Sequence, residues 1–140
     1  MILFPNAKIN LGLNVIEKRP DGFHNIETVF YPINWCDALE VVEGGSSTFD
    51  LETTGLTVAG PIEENIIFKA WKALSAEVKL PHLKVNLHKV LPMGAGLGGG
   101  SSDAAFFLKI INQKFSLGLS QEQLINIARK LGADCAFFIE

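Results

Sequence analysis

Residues 92–105, Pro-Met-Gly-Ala-Gly-Leu-Gly-Gly-Gly-Ser-Ser-Asp-Ala-Ala, hold the densest chemistry in the chain. Five of the seven residues 94–100 are glycine, and two serines and an aspartate follow before an apolar run. A glycine-rich turn that opens a helix presents free N–H groups at the positive end of the helix dipole, where phosphate is stabilised. Glycine also lets the backbone come close to phosphate oxygens. Ser101 and Ser102 could cap such a helix or offer a hydroxyl to phosphate or Mg²⁺. Ordering so many glycines without a ligand would cost chain entropy and gain no contact.

Gly94, Gly96 and Gly99 satisfy G-x-G-x-x-G, but the familiar owners of that pattern do not fit. A dinucleotide fold places the loop after its first strand, with an acidic residue about 20 positions on. Here the loop follows a late strand, and Glu122 lies inside an amphipathic helix pattern. A P-loop requires a lysine after its last glycine, and none follows. A protein-kinase loop leads into a strand that carries a lysine; this one leads into a helix pattern. What remains is a glycine loop at a helix start that suits phosphate, with a serine-capped turn that holds no ligand as the alternative.

The flanking patterns say what must hold the loop in place. Residues 7–16 alternate, which predicts a half-buried strand with Ala7, Ile9, Leu11, Leu13 and Val15 on one face. Lys8, Asn10, Gly12 and Asn14 fall on the other. Arg-Pro-Asp-Gly at 19–22 reads as a turn. Strands follow at 25–34, 37–43 and 48–54, with a turn at 44–47, giving a strand-rich and antiparallel first half. Residues 61–78 predict a helix with Ile67, Ala70, Trp71, Leu74 and Val78 on one stripe and Asn65 as a candidate N-cap. A strand at 83–90, with Leu83, Val85 and Leu87 inward, leads into the glycine loop. The next helix is predicted from about Ser102, with Ala104, Phe107, Leu108 and Ile111 buried. Ser120 and Gln123 form a capping box for a third helix that buries Leu124, Ile127, Ala128 and Leu131 and ends at Gly132. Asp134 follows, and then an apolar stretch, 136–139, that reads as a strand. The class is α+β, antiparallel strands first and helices later.

The chain has 140 residues, the length of one domain. Hydrophobic residues make up 48% and charged residues 19%, an ordinary globular mixture. A net charge of -3 argues against the basic stripe of a nucleic-acid surface. Cys36 and Cys135 form neither a disulfide framework nor a metal spacing, so a reducing cytoplasm is expected. The N-terminus lacks the features of a signal peptide, and no apolar run approaches a membrane span.

Residues 92–105 resemble the phosphate loop of the GHMP small-molecule kinases. Three more stretches in the family's order support the resemblance: Ala-Lys-Ile-Asn-Leu-Gly-Leu-Asn-Val at 7–15, Arg-Pro-Asp-Gly-Phe-His at 19–24, and Gly-Ala-Asp-Cys-Ala-Phe-Phe-Ile at 132–139. The resemblance implies a fold like the second domain of ribosomal protein S5, with a left-handed βαβ unit. It makes residues 1–140 the N-terminal, ATP-binding domain, with the family's C-terminal domain outside this chain. It implies ATP-dependent phosphorylation of a hydroxyl on a cytidine-diphosphate-linked sugar alcohol, in isoprenoid precursor synthesis. Lys8 and Asp134 match the catalytic positions. Asn65, Lys89, Pro92, Gly94, Ala95, Gly96, Leu97, Gly98, Gly99, Gly100, Ser101 and Ser102 match positions around ATP, with Mg²⁺ reached through Ser101 or Ser102. Asn10, Phe23 and His24 match positions around the cytidine substrate. Phe23 stands where many relatives have tyrosine, and Cys135 and Ala136 stand where many have valine and proline. The expected partners are ATP and the small-molecule substrate, without nucleic acid or membrane. Self-association is expected through the face that the second domain covers. A nucleotide-binding module without turnover and another GHMP kinase stand as alternatives, and Arg-Pro-Asp-Gly-Phe-His favours a cytidine ligand.

Overall fold

The computed structural model describes residues 1–20, 22 and 24–140; Phe23, one of the expected substrate contacts, lies outside the described residues. The elements are β1 (Ile2–Leu3), β2 (Asn6–Lys18), β3 (His24–Cys36), β4 (Ala38–Glu43), β5 (Phe49–Gly55), α1 (Ile66–Ser75), β6 (Leu83–Lys89), α2 (Gly99–Lys114) and α3 (Gln121–Leu131). A single 3₁₀ turn at Ile62–Glu64 leads into α1.

Four strands form one sheet in the order β1-β4-β6-β5, and β2 and β3 pair separately as a long hairpin. The β4–β6 and β1–β4 pairs are antiparallel. The β5–β6 pair is parallel, so the first half of the chain is not purely antiparallel as its strand pattern suggested. The reason is α1, which carries the chain across the sheet between β5 and β6, and a helical crossover returns the next strand in the same direction. Strand β6 alternates as predicted, with Leu83, Val85 and Leu87 buried. They pack with Leu39 and Val41 of β4 against Ile67 and Leu74 of α1, Phe107, Leu108 and Ile111 of α2, and Leu124 and Ile127 of α3. Each such side chain contributes roughly 1.5–3 kcal/mol by burial. The opposite face is polar: the Asn86 amide donates to Glu40 at 2.9 Å, and Lys84 meets Glu52 at 3.3 Å.

Three local expectations change. First, the alternation of β2 breaks at Gly12, where the ladder shifts between Leu11 and Leu13. Gly12 has φ 71°, a conformation that suits glycine and turns the strand at a bulge. Asn14 therefore pairs with Glu27 on one face, while Leu13 and Val15 pair with Thr28 and Ile26 on the face of Lys8 and Asn10. Ile9, Leu11, Val29 and Tyr31 remain exposed on the other face. Second, α2 starts at Gly99 and not near Ser102, because Gly98 adopts the left-handed conformation and serves as N-cap. Third, residues 136–139 form successive turns and no strand: the Phe138 N–H donates to the Cys135 carbonyl and the Ile139 N–H to the Ala136 carbonyl. Phe137 packs on Phe30 at 5.1 Å between ring centres, which ties this segment to the hairpin by side chains and not by a ladder.

Candidate active site

Lys8 is the third residue of β2, where the strand leaves the core, and it is only 4% exposed. Its ammonium donates to the Asn10 amide oxygen at 2.7 Å and meets the Asp134 carboxylate at 3.2 Å. The Phe30 ring lies beneath it, 4.8 Å from nitrogen to ring centre. Asp134 follows Gly132, which ends α3, and its side chain remains 30% exposed. A lysine and an aspartate separated by 126 positions thus meet, one closed off from water and one open to it. That is the arrangement expected of a carboxylate that takes a proton from a substrate while a fixed cation offsets negative charge.

The glycine loop is pinned beside this pair. The backbone N–H of Lys8 donates to the Leu97 carbonyl at 2.9 Å. A Cβ at Gly98 would lie 3.0 Å from Phe138 and 3.2 Å from Cε of Lys8; one at Gly99 would lie 3.0 Å from Nζ of Lys89. These two glycines allow α2 to start this close to β2 and β6. Gly94 and Gly96 have positive φ and nothing within 4 Å of a would-be Cβ, so their backbone faces open space. The first intrahelical bond of α2 is from the Ser102 N–H to the Gly98 carbonyl. The N–H groups of Gly99, Gly100 and Ser101 precede it and have no intrahelical acceptor. Ser101 is half-buried, whereas Ser102 is buried with its hydroxyl unpartnered, which leaves Ser101 as the accessible one. Neither caps the helix by its side chain.

One cleft borders the loop and a second lies at Asp134. The first, of about 280 Å³, is bordered by Asn65, Ile66, Lys89, Met93, Gly100 and Ser101. Asn65 does cap α1, its side chain accepting from the Ile67 N–H at 2.9 Å, and borders the cleft as well. The other, of about 460 Å³, is bordered by Arg19, His24, Ile26, Phe30, Arg129 and Asp134. His24, Ile26, Thr28 and Phe30 are alternate residues of β3 and share one face, which is why His24 and Asp134 border the same cleft. Among the described residues, no three His, Cys, Asp or Glu side chains gather as a metal site.

A sequence model of the GHMP kinases N terminal domain matches residues 65–140, more than half the chain. The chain belongs to the GHMP kinases. The GHMP domain is 56% identical, over its whole length, to a 4-diphosphocytidyl-2-C-methyl-D-erythritol kinase from Bacteroides fragilis, of which it covers 52%. It is 51% identical to the kinase of the same name from Cytophaga hutchinsonii, again covering 51% of that protein. A crystal structure of 4-(cytidine 5'-diphospho)-2C-methyl-D-erythritol kinase superposes with a TM-score of 0.79 at 36% identity, over 99% of this chain and 48% of that one. The chain therefore spans about half the length of the curated relatives it matches.

Lys89, matched in the sequence to a position around ATP, is the centre of a buried cluster that the sequence reading does not include. Lys89 is buried, and its ammonium donates to Asp37 at 2.5 Å and to Asp103 at 2.7 Å. Asp37 also accepts from the N–H groups of Val90 and Leu91, at 2.6 and 2.8 Å, so it clamps the start of the loop. Burial pushes the Asp103 carboxyl up to about 7 against the pull of Lys89. The signal was present in the periodicity. Lys89 continues the buried series 83, 85, 87 on β6, and Asp103 lies one helical turn before Phe107 on the buried stripe of α2. Asp37 carries no such pattern.

Proposed function

We propose that this chain is the ATP-binding half of a kinase that phosphorylates the 2-hydroxyl of 4-diphosphocytidyl-2-C-methyl-D-erythritol, a step in isoprenoid precursor synthesis. The observation that carries the proposal is the Lys8–Asp134 pair at 3.2 Å, tied to the glycine loop through the backbone of Lys8. ATP lies with its base in the cleft at Asn65 and Lys89 and its phosphates on the free N–H groups of the loop. Mg²⁺ arrives with ATP, and the Ser101 hydroxyl is the side chain placed to meet that complex. Asp134 takes the proton of the substrate hydroxyl as its oxygen bonds to the γ-phosphorus. The bond to the β–γ bridging oxygen breaks, and ADP leaves. Lys8 offsets charge on the moving phosphoryl group.

The half of the full-length relatives that this chain does not span is proposed to form the opposite wall of the cleft. On that basis the 140-residue chain alone binds nucleotide with little turnover, because positioning and exclusion of water are incomplete. The exposed apolar face at Ile9, Leu11, Val29 and Tyr31 is a surface through which isolated copies would associate. No described helix is long and apolar enough to cross a membrane, and a cytoplasmic location fits the reading.

The reading is tested by two binding experiments with opposite expected outcomes. Gly96→Val puts a branched side chain into a left-handed backbone position, where it also stands in the path of phosphate. Calorimetry is expected to show at least a tenfold loss of ATP affinity with cooperative unfolding retained; a folded variant of parental affinity would remove the loop from the ATP site. His24→Ala and Arg129→Ala act at the other cleft. The base of the cytidine substrate is placed at His24 and its reacting hydroxyl at Asp134, so the diphosphate between them runs past Arg19 and Arg129. Both variants are expected to weaken the cytidine ligand several-fold and to leave ATP affinity within twofold of the parent. Loss of ATP binding with the cytidine ligand retained would reverse the two sites.

A further inference from the structure

From a closed run of hydrogen bonds behind Lys8, we infer that Thr28 is a positioning residue for phosphoryl transfer. The inference rests on the kinase reading above. The Thr28 hydroxyl donates its one proton to the Gly12 carbonyl at 2.5 Å. Its oxygen can then only accept, and it accepts from the Asn10 side-chain NH₂ at 3.0 Å. That fixes which way round the Asn10 amide lies. Its oxygen must face Lys8, and it accepts from the ammonium at 2.7 Å. Lys8 in turn meets Asp134 at 3.2 Å. A flipped Asn10 would set NH₂ against an ammonium, two donors with nothing to accept, and the Lys8 ammonium would lose its hold.

The bulge supplies the first link. In an unbroken ladder the Gly12 peptide would pair across to β3. The shift between Leu11 and Leu13, at a glycine with φ 71°, releases its carbonyl to the Thr28 side chain. The bulge and Thr28 work as one device: the bulge orients a hydroxyl, the hydroxyl orients an amide, and the amide holds the lysine that faces the reacting groups. Thr28 touches neither nucleotide nor substrate in this arrangement; it acts through Asn10 and Lys8.

The test uses Thr28→Val, which keeps shape and strand preference and removes the hydroxyl, with Thr28→Ser as the restoring variant. In the 140-residue chain, the Asn10 side-chain amide resonances are expected to move in T28V and to stay near their parental positions in T28S. This readout needs no substrate, so it stands even if the enzyme acts on a different acceptor. In the full-length enzyme, T28V is expected to lower kcat about tenfold, the effect of one charge-linked hydrogen bond. KM for ATP should remain within twofold, and T28S should recover most of the rate. T28V should add nothing further in an Asn10→Ala background. Unmoved Asn10 resonances, parental kcat in T28V, or losses that multiply in the double variant would each overturn the inference.

Discussion

Asp134→Asn is expected to lower kcat by roughly 10²–10⁴-fold in the full-length enzyme, the range for loss of a general base, with KM for ATP changed by no more than a few-fold. Asparagine keeps the shape of the side chain, and its oxygen can still accept from Lys8 where the carboxylate does at 3.2 Å. What it loses is the ability to take a proton. Lys8→Ala is expected to lower kcat comparably, by removing the cation on which the carboxylate and the phosphoryl group both depend. The two losses should not multiply, because one proton and one phosphoryl group are involved in both. Steady-state kinetics on the two single variants and the double variant check this. Activity of Asp134→Asn within a few-fold of the parent would remove Asp134 as the base, and a double variant showing the full product would separate the roles of the two residues.

The Lys8–Asp134 meeting was legible through the resemblance of their two short stretches to the GHMP kinases; the alternating strand around Lys8 and the helix end before Asp134 place each residue locally but do not by themselves bring the two together. The capping box at Ser120 and the caps at Asn65 and Gly132 were legible for a local reason, since a few neighbouring residues decide them. The bulge at Gly12 was not. Period two over residues 7–15 is satisfied by either arrangement, and only the partner strand shows that Leu13 and Val15 change faces. The start of α2 was misplaced because serine is a strong capping residue and was preferred to glycine. The left-handed Gly98 depends on close approach to Phe138 and Lys8, which no local pattern encodes. Residues 136–139 are apolar enough for a strand, but the ring of Phe137 finds Phe30 and takes the segment out of any ladder. Long-range contacts decided each of these.

The buried trio has the same origin, and it carries the second large effect. Lys89 is 1% exposed and its two partners no more than 2%. Lys89→Met fills much the same volume and removes the cation, leaving two buried carboxylates facing each other. Asp37 would still accept two backbone N–H groups. Asp103 would be left with only the Asp37 carboxyl beside it, and its second oxygen, Oδ1, has no partner. The expected destabilisation is about 3–5 kcal/mol, the range for breaking a buried pair from one side, read as a fall in the urea midpoint of the 140-residue chain. Asp103→Asn separates the contributions, because it removes the less satisfied carboxylate and leaves the Lys89–Asp37 pair intact. Its effect should depend on pH in one direction. With its carboxyl raised from 3.8 to about 7, Asp103 binds its proton more tightly in the folded chain than in the unfolded one. That contribution is complete below about pH 4 and is lost as pH rises towards 7, so the parent should lose stability relative to Asp103→Asn across this window. At 1.36 kcal/mol per unit the loss reaches about 4 kcal/mol at most. Urea midpoints of both proteins at pH 4, 5, 6 and 7 measure it. A constant difference would mean that the Lys89 ammonium outweighs burial and holds Asp103 ionised throughout; Lys89→Met should then destabilise most at neutral pH, where both carboxylates depend on that one cation.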